Sequence, residues 1–433
     1  MRNQSIKGRN EMESKMGNPV VDHRELYRLP WTLPDNAIAW LEPTSQCNLS
    51  CDGCYRENLT SSHKPLEIVR NEIDTFAKLR NSDGISIAGG DPLMHPQIID
   101  IVKEVAAREM KPIINTNGLA LTEEFLRELK KAGVYGFTFH IDSKQNRPGW
   151  KSQNEIELND LRLYYAEMLA EVGGISCSFN STVYEDTIQY VPEMVDWAAK
   201  HIDIVHVMVF IAFRQVVPQI PMDWYAGGTK IDMDRLVYST VEQRRVDIMS
   251  TDVVQEIRRH FPDFNPCAYL NGTEKPDSFK WLLSTRVGSK ERIFGYMGSK
   301  FIEFVQAYHH FRNGKYLAYE DPSVLKAGRS GLTAASILDR GARKAYGRFL
   351  LSVLKNPLNL FKRVYFQSIM IIQPIDFLED GGQNMCDGCP DITVLDGKLV
   401  WSCRLEEPKH FGCFVRTVPK NGYKVAQAEK VKR

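Results

Sequence analysis

Cys47-Asn48-Leu49-Ser50-Cys51-Asp52-Gly53-Cys54-Tyr55 is the stretch from which the chain is read. Its three cysteines, at C-x3-C-x2-C spacing, follow a short apolar run, Ile38-Ala39-Trp40-Leu41-Glu42, that reads as a buried strand. A loop of this length can bend three thiolates onto three corners of one iron–sulfur cube, thiolates being the usual holders of such clusters. Only three of four irons are then served locally, and the fourth is an open coordination position where chemistry occurs. The alternatives left open by the triplet alone are a zinc site or three unrelated thiols.

Outward from this loop, strand and helix alternate. Leu66, Val69, Ile73, Phe76 and Ala77 recur at helical spacing, 84–88 reads as a short buried strand, and Ile98, Ile101, Val102 and Val105 mark the next helix. A third strand starts at Pro112, and Thr122 is placed to cap a helix with Glu123 and Glu124 in its first turn. Strands are expected at 136–141, 175–183 and 204–211, with helices around 154–172 and 190–200. Such β/α alternation over roughly 175 residues implies a parallel sheet with outer helices and an active site at the C-terminal strand ends.

Chemistry-bearing residues fall at those strand ends. In Gly89-Gly90-Asp91-Pro92 the glycines let backbone carbonyls approach a ligand and the proline stiffens the loop, although the tetrapeptide alone is an ordinary turn. Asn115-Thr116-Asn117-Gly118 ends the third strand and also reads as a polar turn. His140 and Asp142, two apart, share one face of the fourth strand, the side of a barrel interior; a lone histidine there is more often structural than catalytic. Ser178, Asn180 and Thr182 alternate in the same way on the fifth strand. Arg214, past the sixth, either pairs with a carboxylate or is solvated. Cys177 and Cys267 read as packed thiols.

The cysteine triplet, Gly-Gly-Asp-Pro and Thr-Asn-Gly on successive strand ends resemble the radical S-adenosylmethionine enzymes. That signature usually carries an aromatic residue before its last cysteine; here the position is Gly53, and the aromatic follows as Tyr55. The resemblance implies an α/β fold, a partial (β/α)6 barrel over 36–212, with a 4Fe–4S cluster on Cys47, Cys51 and Cys54. It implies S-adenosylmethionine chelated at the open iron and cleaved by one electron to a 5′-deoxyadenosyl radical, which removes hydrogen from a substrate C–H bond. Gly89, Gly90, Asp91 and Pro92 are then expected at the cofactor's amino group through their backbone, Asp91 replacing the commoner glutamate. Asn117 is expected beside the nucleoside, Asn180 at the ribose or carboxylate, and Arg214 at a cofactor or substrate carboxylate. His140 and Asp142 are the catalytic candidates, and an electron donor such as flavodoxin or ferredoxin is the implied partner.

A second group, Cys386, Cys389, Cys403 and Cys413, has C-x2-C-x13-C-x9-C spacing. Between its members, 392–395 and 399–401 read as a hairpin turning at Asp396-Gly397-Lys398. The layout is similar to the SPASM and twitch modules that carry an auxiliary 4Fe–4S cluster in relatives, but it departs from the SPASM spacing. With four cysteine ligands a cluster is closed; without Cys413 one iron stays open to substrate. A structural zinc ribbon is the alternative.

The remaining segments are less specific. Residues 1–35 read as a tail and entry segment, 213–379 as a mostly helical substrate region with helices at 231–261, 291–312 and 333–371, and 380–433 as the Cys-rich module. Within 340–372, Arg340, Arg343, Lys344 and Arg348 lie on one helical face and Tyr346, Phe349, Leu350, Val353 and Leu354 on another. Such a helix lies in a membrane interface, covers an apolar channel, or simply packs on the core. The chain's 433 residues, 43% hydrophobic, can bury a large core, and Lys+Arg 55 against Asp+Glu 54 gives no bulk electrostatic argument for nucleic acid. Nine cysteines, most in two ligand-like groups, fit a reducing compartment, and no run of about 18 apolar residues reads as a membrane span. The expectation is a cytoplasmic enzyme, with peripheral membrane contact through 340–372, acting on a small-molecule or lipid-like substrate. The other readings are a peptide maturase and a non-catalytic zinc protein.

Overall fold

The computed structural model describes residues 20–214, 222–233, 236, 237, 245, 247–326, 328–378 and 380–420. Residues 1–19 of the expected tail, several positions between 234 and 246 of the expected helix at 231–261, and 421–433 of the Cys-rich module lie outside them.

The chain runs through β1 (Tyr27–Arg28), β2 (Ile38–Thr44), α1 (Leu66–Leu79), β3 (Gly84–Gly89), α2 (Ile98–Ala106), β4 (Lys111–Thr116), α3 (Glu123–Ala132), β5 (Gly136–His140), α4 (Asn159–Val172), β6 (Ser176–Val183), α5 (Val191–Lys200) and β7 (Val207–Ala212). Val69, Ile73 and Phe76 turn one face of α1 into the core, as their spacing requires. At α3, Thr122 Oγ1 accepts from the Phe125 amide at 3.2 Å, and Gly133, at φ 102°, ends the helix in the left-handed region that glycine tolerates best. Strands β2 to β7 pair in parallel, each with the next in sequence. Their near-continuous apolar runs suit strands covered on both faces. This is the expected α/β partial (β/α)6 barrel.

Beyond β7 come β8 (Met222–Ala226), β9 (Thr229–Ile231), α6 (Ser250–His260), β10 (Ala268–Asn271), β11 (Phe279–Ser289), β12 (Arg292–Tyr296), α7 (Ser299–Asn313), α8 (Pro322–Leu325), α9 (Gly328–Leu338), α10 (Arg340–Lys355) and β13 (Tyr365–Ile372). The mostly helical reading of 213–379 is therefore corrected. The helix expected over 291–312 starts only at Ser299, because Arg292–Tyr296 folds back on β11 as a hairpin strand. The helix expected over 333–371 is interrupted at Asp339, whose Oδ1 caps a new helix by accepting from Ala342 at 2.7 Å, and it stops at Lys355 ahead of Pro357. The β-branched and aromatic run from Tyr365 becomes strand β13.

β13 pairs in parallel with β7, β11 antiparallel with β13, β10 antiparallel with β11, and β1 parallel with β10. The sheet path is thus β1-β10-β11-β13-β7-β6-β5-β4-β3-β2. Its two end strands are consecutive in the chain, joined by residues 29–37. β11 escaped the sequence reading because Lys280, Ser284 and Arg286 look like solvent positions, yet all three are buried. Each has a partner: Lys280 Nζ meets Asp376 Oδ2 at 2.6 Å, Ser284 Oγ donates to Asn265 O at 2.8 Å, and Arg286 Nε donates to Gln367 Oε1 at 2.7 Å.

The C-terminal part holds β14 (Asp376–Phe377), β15 (Gln383–Asn384), β16 (Ile392–Leu395), β17 (Lys398–Trp401), α11 (Glu406–Phe411) and β18 (Arg416–Pro419). The β16–β17 hairpin turns at Asp396 and Gly397, both at positive φ (49° and 73°), as the Asp-Gly pair requires. β18 pairs with β8, so the C-terminal segment shares a small sheet with 222–231. Residues 386–389 sit over the 29–37 link: Asn36 Nδ2 donates to Gly388 O at 2.9 Å, Arg28 Nη2 meets Asp387 Oδ2 at 2.9 Å, and Arg80 Nη2 donates to Cys389 O at 2.7 Å.

Candidate active site

A cavity of about 630 Å³ runs along the inside of the barrel. At the C-terminal strand ends it is lined by Cys47, Cys51, Cys54, Gly89, Gly90, Asn117, His140, Asp142, Asn180 and Arg214, and its far wall is apolar, including Trp281, Phe301, Val305, Leu325 and Phe366. The residues singled out at successive strand ends are thereby brought to one space.

The loop after β2 is shaped before any ligand is considered. Asn58 clamps the Cys47 backbone, accepting its N–H at Oδ1 (2.9 Å) and donating from Nδ2 to its carbonyl (3.0 Å). The Leu49 amide and Asn117 Nδ2 point at Cys47 Sγ, at 3.4 and 3.7 Å. Burial pushes the Cys47, Cys51 and Cys54 thiols above their usual range, so their thiolates need a cation beside them. All nine cysteines are free of disulfides. A Cβ at Gly53 would lie 2.4 Å from Tyr184 Oη and 3.2 Å from the Phe213 ring. Two aromatics from β6 and β7 loops fill the room around the position where the signature usually has its own aromatic. Sequence reading missed both, since nothing local ties 184 and 213 to 53.

Gly89 and Gly90 are required by contact. Gly89 has φ 107°, and a Cβ there would meet Thr44 O at 2.2 Å; at Gly90 it would meet Gln46 O at 2.3 Å. Asp91 is fully buried and spends its carboxylate internally: Oδ1 accepts from Leu93 N (3.0 Å), and Oδ2 accepts from Thr116 Oγ1 (2.8 Å) and Asn117 N (2.9 Å). It braces the β3 turn, including the short helical turn begun by Pro92, against the end of β4. Asn117 Nδ2 donates to Asn48 Oδ1 at 2.7 Å, tying the same strand end to the cysteine loop.

His140 Nε2 lies 2.9 Å from Asp142 Oδ2 and 3.2 Å from Thr182 Oγ1. Burial works against the Asp142 charge, but the hydrogen bond and charge of His140 hold the carboxyl below its usual range. With Nε2 directed at that carboxylate, Nδ1 is the ring atom left to meet a ligand. Asn180 Oδ1 is buried with no hydrogen-bond partner among the described residues. Arg214 Nη2 pairs with Asp376 Oδ1 at 3.1 Å, so the carboxylate expected from a ligand is already met by the protein. Lys280 shares Asp376 from behind, so two cations meet one carboxylate, and of the three only Arg214 lines the cavity. Burial lowers the pKa of both cations.

Cys386, Cys389 and Cys403 line the same cavity, while Cys413, after α11, does not. Burial raises Cys403 to about 12. A zinc tetrahedron with Zn–S near 2.3 Å keeps its sulfurs about 3.8 Å apart. Among the described residues, no three cysteine sulfurs all lie within 4.8 Å of one another, so neither group has that compactness. The two cysteine loops are strapped together by Arg56, whose Nη2 donates to Ser402 Oγ at 2.9 Å and to the Ser402 carbonyl, one residue before Cys403.

The sequence pattern of the Radical SAM superfamily matches residues 41–206. The chain is 34% identical over 106 residues to a tungsten-containing aldehyde ferredoxin oxidoreductase cofactor-modifying protein of Pyrococcus furiosus, covering 24% of this chain and 30% of that one. It is 27% identical over 177 residues to an AdoMet-dependent heme synthase of Oleidesulfovibrio alaskensis, covering 39% and 45%. The matched stretch thus spans less than half of the length of these two curated relatives. Among solved structures, Streptococcus suis SuiB bound to precursor peptide SuiA aligns with a TM-score of 0.38 at 15% identity, covering 54% of this chain and 46% of that one. The anSMEcpe complex with AdoMet and the Cp18Cys peptide aligns with a TM-score of 0.33 at 15% identity, covering 42% and 52%.

Proposed function

Because residues 41–206 form a radical SAM domain, we propose that this chain is an enzyme that removes a hydrogen atom from a C–H bond of a small-molecule or lipid-like substrate held in the barrel cavity. Cys47, Cys51 and Cys54 would hold a 4Fe–4S cluster, with S-adenosylmethionine against the Gly89-Gly90 backbone, Asn117 and Asn180. When bound, this pair supplies a hydrogen-abstracting radical through one-electron cleavage of the sulfonium. Cys386, Cys389 and Cys403 would hold a second 4Fe–4S cluster, with Cys413 the candidate for its fourth ligand. The observation that carries the reading is that Cys47, Cys51 and Cys54 line one cavity with Cys386, Cys389 and Cys403, opposite a wall that carries Trp281, Phe301, Val305 and Phe366.

The chain's own residues have definite tasks in it. Asp91 fixes the glycine turn, so that backbone atoms rather than a carboxylate meet the ligand. The unpartnered Asn180 Oδ1 supports acceptance of a ribose hydroxyl. His140, oriented by Asp142, takes a proton at Nδ1 from the substrate or product. Arg214, the cavity-lining member of the Arg214–Asp376–Lys280 group, is the cation placed to meet an anionic group on substrate or cofactor. The apolar wall excludes water from the reacting carbon and takes a hydrocarbon portion.

The test is anaerobic reconstitution, followed by iron and sulfide analysis and 5′-deoxyadenosine formation with dithionite. About eight irons per chain, with cleavage lost in Cys51→Ala, is the expected result for two 4Fe–4S centres. About four irons plus zinc would keep the radical reaction and remove the second cluster. No iron and no cleavage would overturn the reading.

A further inference from the structure

The second half of α10 and the turn after it expose an unusual concentration of large apolar side chains. Leu350, Leu351, Leu354, Leu358, Leu360 and Phe361 are all exposed, Leu354 by 79% and Phe361 by 81%. None is needed for the fold there: α10 packs inward through Ala342, Ala345, Phe349 and Ser352. A contiguous exposed apolar surface of this kind marks an interaction site. Its charge identifies the partner. Residues 340–363 contain no Asp or Glu, in a chain whose Lys+Arg 55 and Asp+Glu 54 balance overall. Arg348 and Lys362 are paired, with Asp263 at 2.8 Å and Glu291 at 3.5 Å. Arg340, Lys344, Lys355 and Arg363 are exposed and make no ion pair among the described residues. Leucines and a phenylalanine ringed by free cations match an anionic lipid surface, where side chains enter the acyl boundary and cations meet the headgroups.

The ridge is tied to the cavity. Arg329 Nη1 donates to Leu360 O at 2.5 Å, and the Gly328 amide donates to Val364 O at 3.1 Å. A few residues earlier, Val324 lines the cavity while standing 51% exposed, so the apolar end of the cavity reaches the surface there. α7 has a similar double character: Phe301 and Val305 face the cavity, whereas Phe304, Tyr308 and Phe311 are exposed. Among the described residues no helix is long and apolar enough to cross a membrane, so the contact is peripheral.

We propose that the ridge from Leu350 to Arg363 seats this protein on an anionic lipid bilayer. The cavity mouth at Val324 is then presented to the membrane, and the apolar chain of a lipid substrate enters from it. The substrate part rests on the function proposed above; the docking part does not. The test is cosedimentation of the full chain, as isolated, with vesicles of phosphatidylcholine alone or of equimolar phosphatidylcholine and phosphatidylglycerol. The chain is expected to pellet with the mixed vesicles, to remain in solution with phosphatidylcholine, and to be released by high salt. Leu354→Glu with Phe361→Glu should abolish pelleting, and Lys355→Gln or Arg363→Gln should each weaken it about fivefold. These positions are exposed, so unchanged thermal unfolding certifies the variants. Failure of the wild type to pellet with either vesicle, or equal pelleting of the double glutamate variant, overturns the proposal. So does a concentration-dependent dimer that Phe361→Glu dissolves in the absence of vesicle binding. Because binding is read without clusters, pelleting by a chain that makes no 5′-deoxyadenosine would retain the docking surface and reject the radical reaction.

Discussion

Arg56 forks onto Glu42, Nε to Oε2 at 2.8 Å and Nη2 to Oε1 at 2.5 Å, with both side chains almost entirely buried. Ser402 Oγ closes the arrangement by donating to Glu42 Oε1 at 3.0 Å. Glu42 belongs to the strand before the first cysteine loop, Arg56 follows Cys54 by two residues, and Ser402 precedes Cys403. Arg56 also meets buried Glu406, Nη1 to Oε1 at 3.7 Å, so one buried guanidinium ties the two cysteine groups together. Arg56→Met is expected to cost about 3–5 kcal/mol, because it leaves a buried carboxylate without its cation. Urea unfolding of the metal-free chain measures this, and a midpoint equal to wild type would refute it. Replacing both partners by apolar residues should restore much of the loss.

Gly53 and Tyr184 form a second testable pair. Gly53→Ala is expected to reduce iron retention and to destabilise by about 1–3 kcal/mol, since the new methyl enters space held by the Tyr184 hydroxyl. Gly53→Ala with Tyr184→Phe should recover iron binding. Iron content after reconstitution is the measurement, and the same deficit in single and double variants would show that the hydroxyl is not the obstacle.

Asn180→Ala should weaken S-adenosylmethionine binding by about tenfold, the scale of one lost hydrogen bond in a buried site. Calorimetric titration of the reconstituted protein reads it directly. An unchanged Kd would remove Asn180 from the cofactor site.

His206 sets a pH dependence. Burial lowers its pKa from 6.5 to about 4, and its Nδ1 accepts the Cys177 amide at 2.9 Å. Between those values the unfolded chain holds more protons than the folded one, so stability falls as pH drops through this window. The loss should approach about 3 kcal/mol at its acid end. His206→Gln should lack this component, measured as the difference in urea midpoints across the window. Parallel pH profiles for the two proteins would count against it.

The site was legible where its chemistry is contiguous in sequence. The cysteine triplet, Gly89 and Gly90, and Asn117 follow successive strands of a barrel built from consecutive units, so local spacing sufficed to bring them to one cavity. What escaped reading was held by distant partners. Arg214 looked available for a ligand because Asp376, its partner, lies 162 residues away. β11 went unread because its Lys280 and Arg286, buried, are neutralised or bonded by residues distant in sequence. Tyr184 and Phe213, which crowd Gly53, carry no signature of their own.

The end strands of the sheet have a consequence for how the protein comes into being. β1 and β2 are made well before 386–389, the segment that closes over their link. Arg80 waits across a separation of 309 residues for the carbonyl of Cys389. Until that segment is made, the six parallel strands β2 to β7 can assemble with the flank at the 29–37 link uncovered.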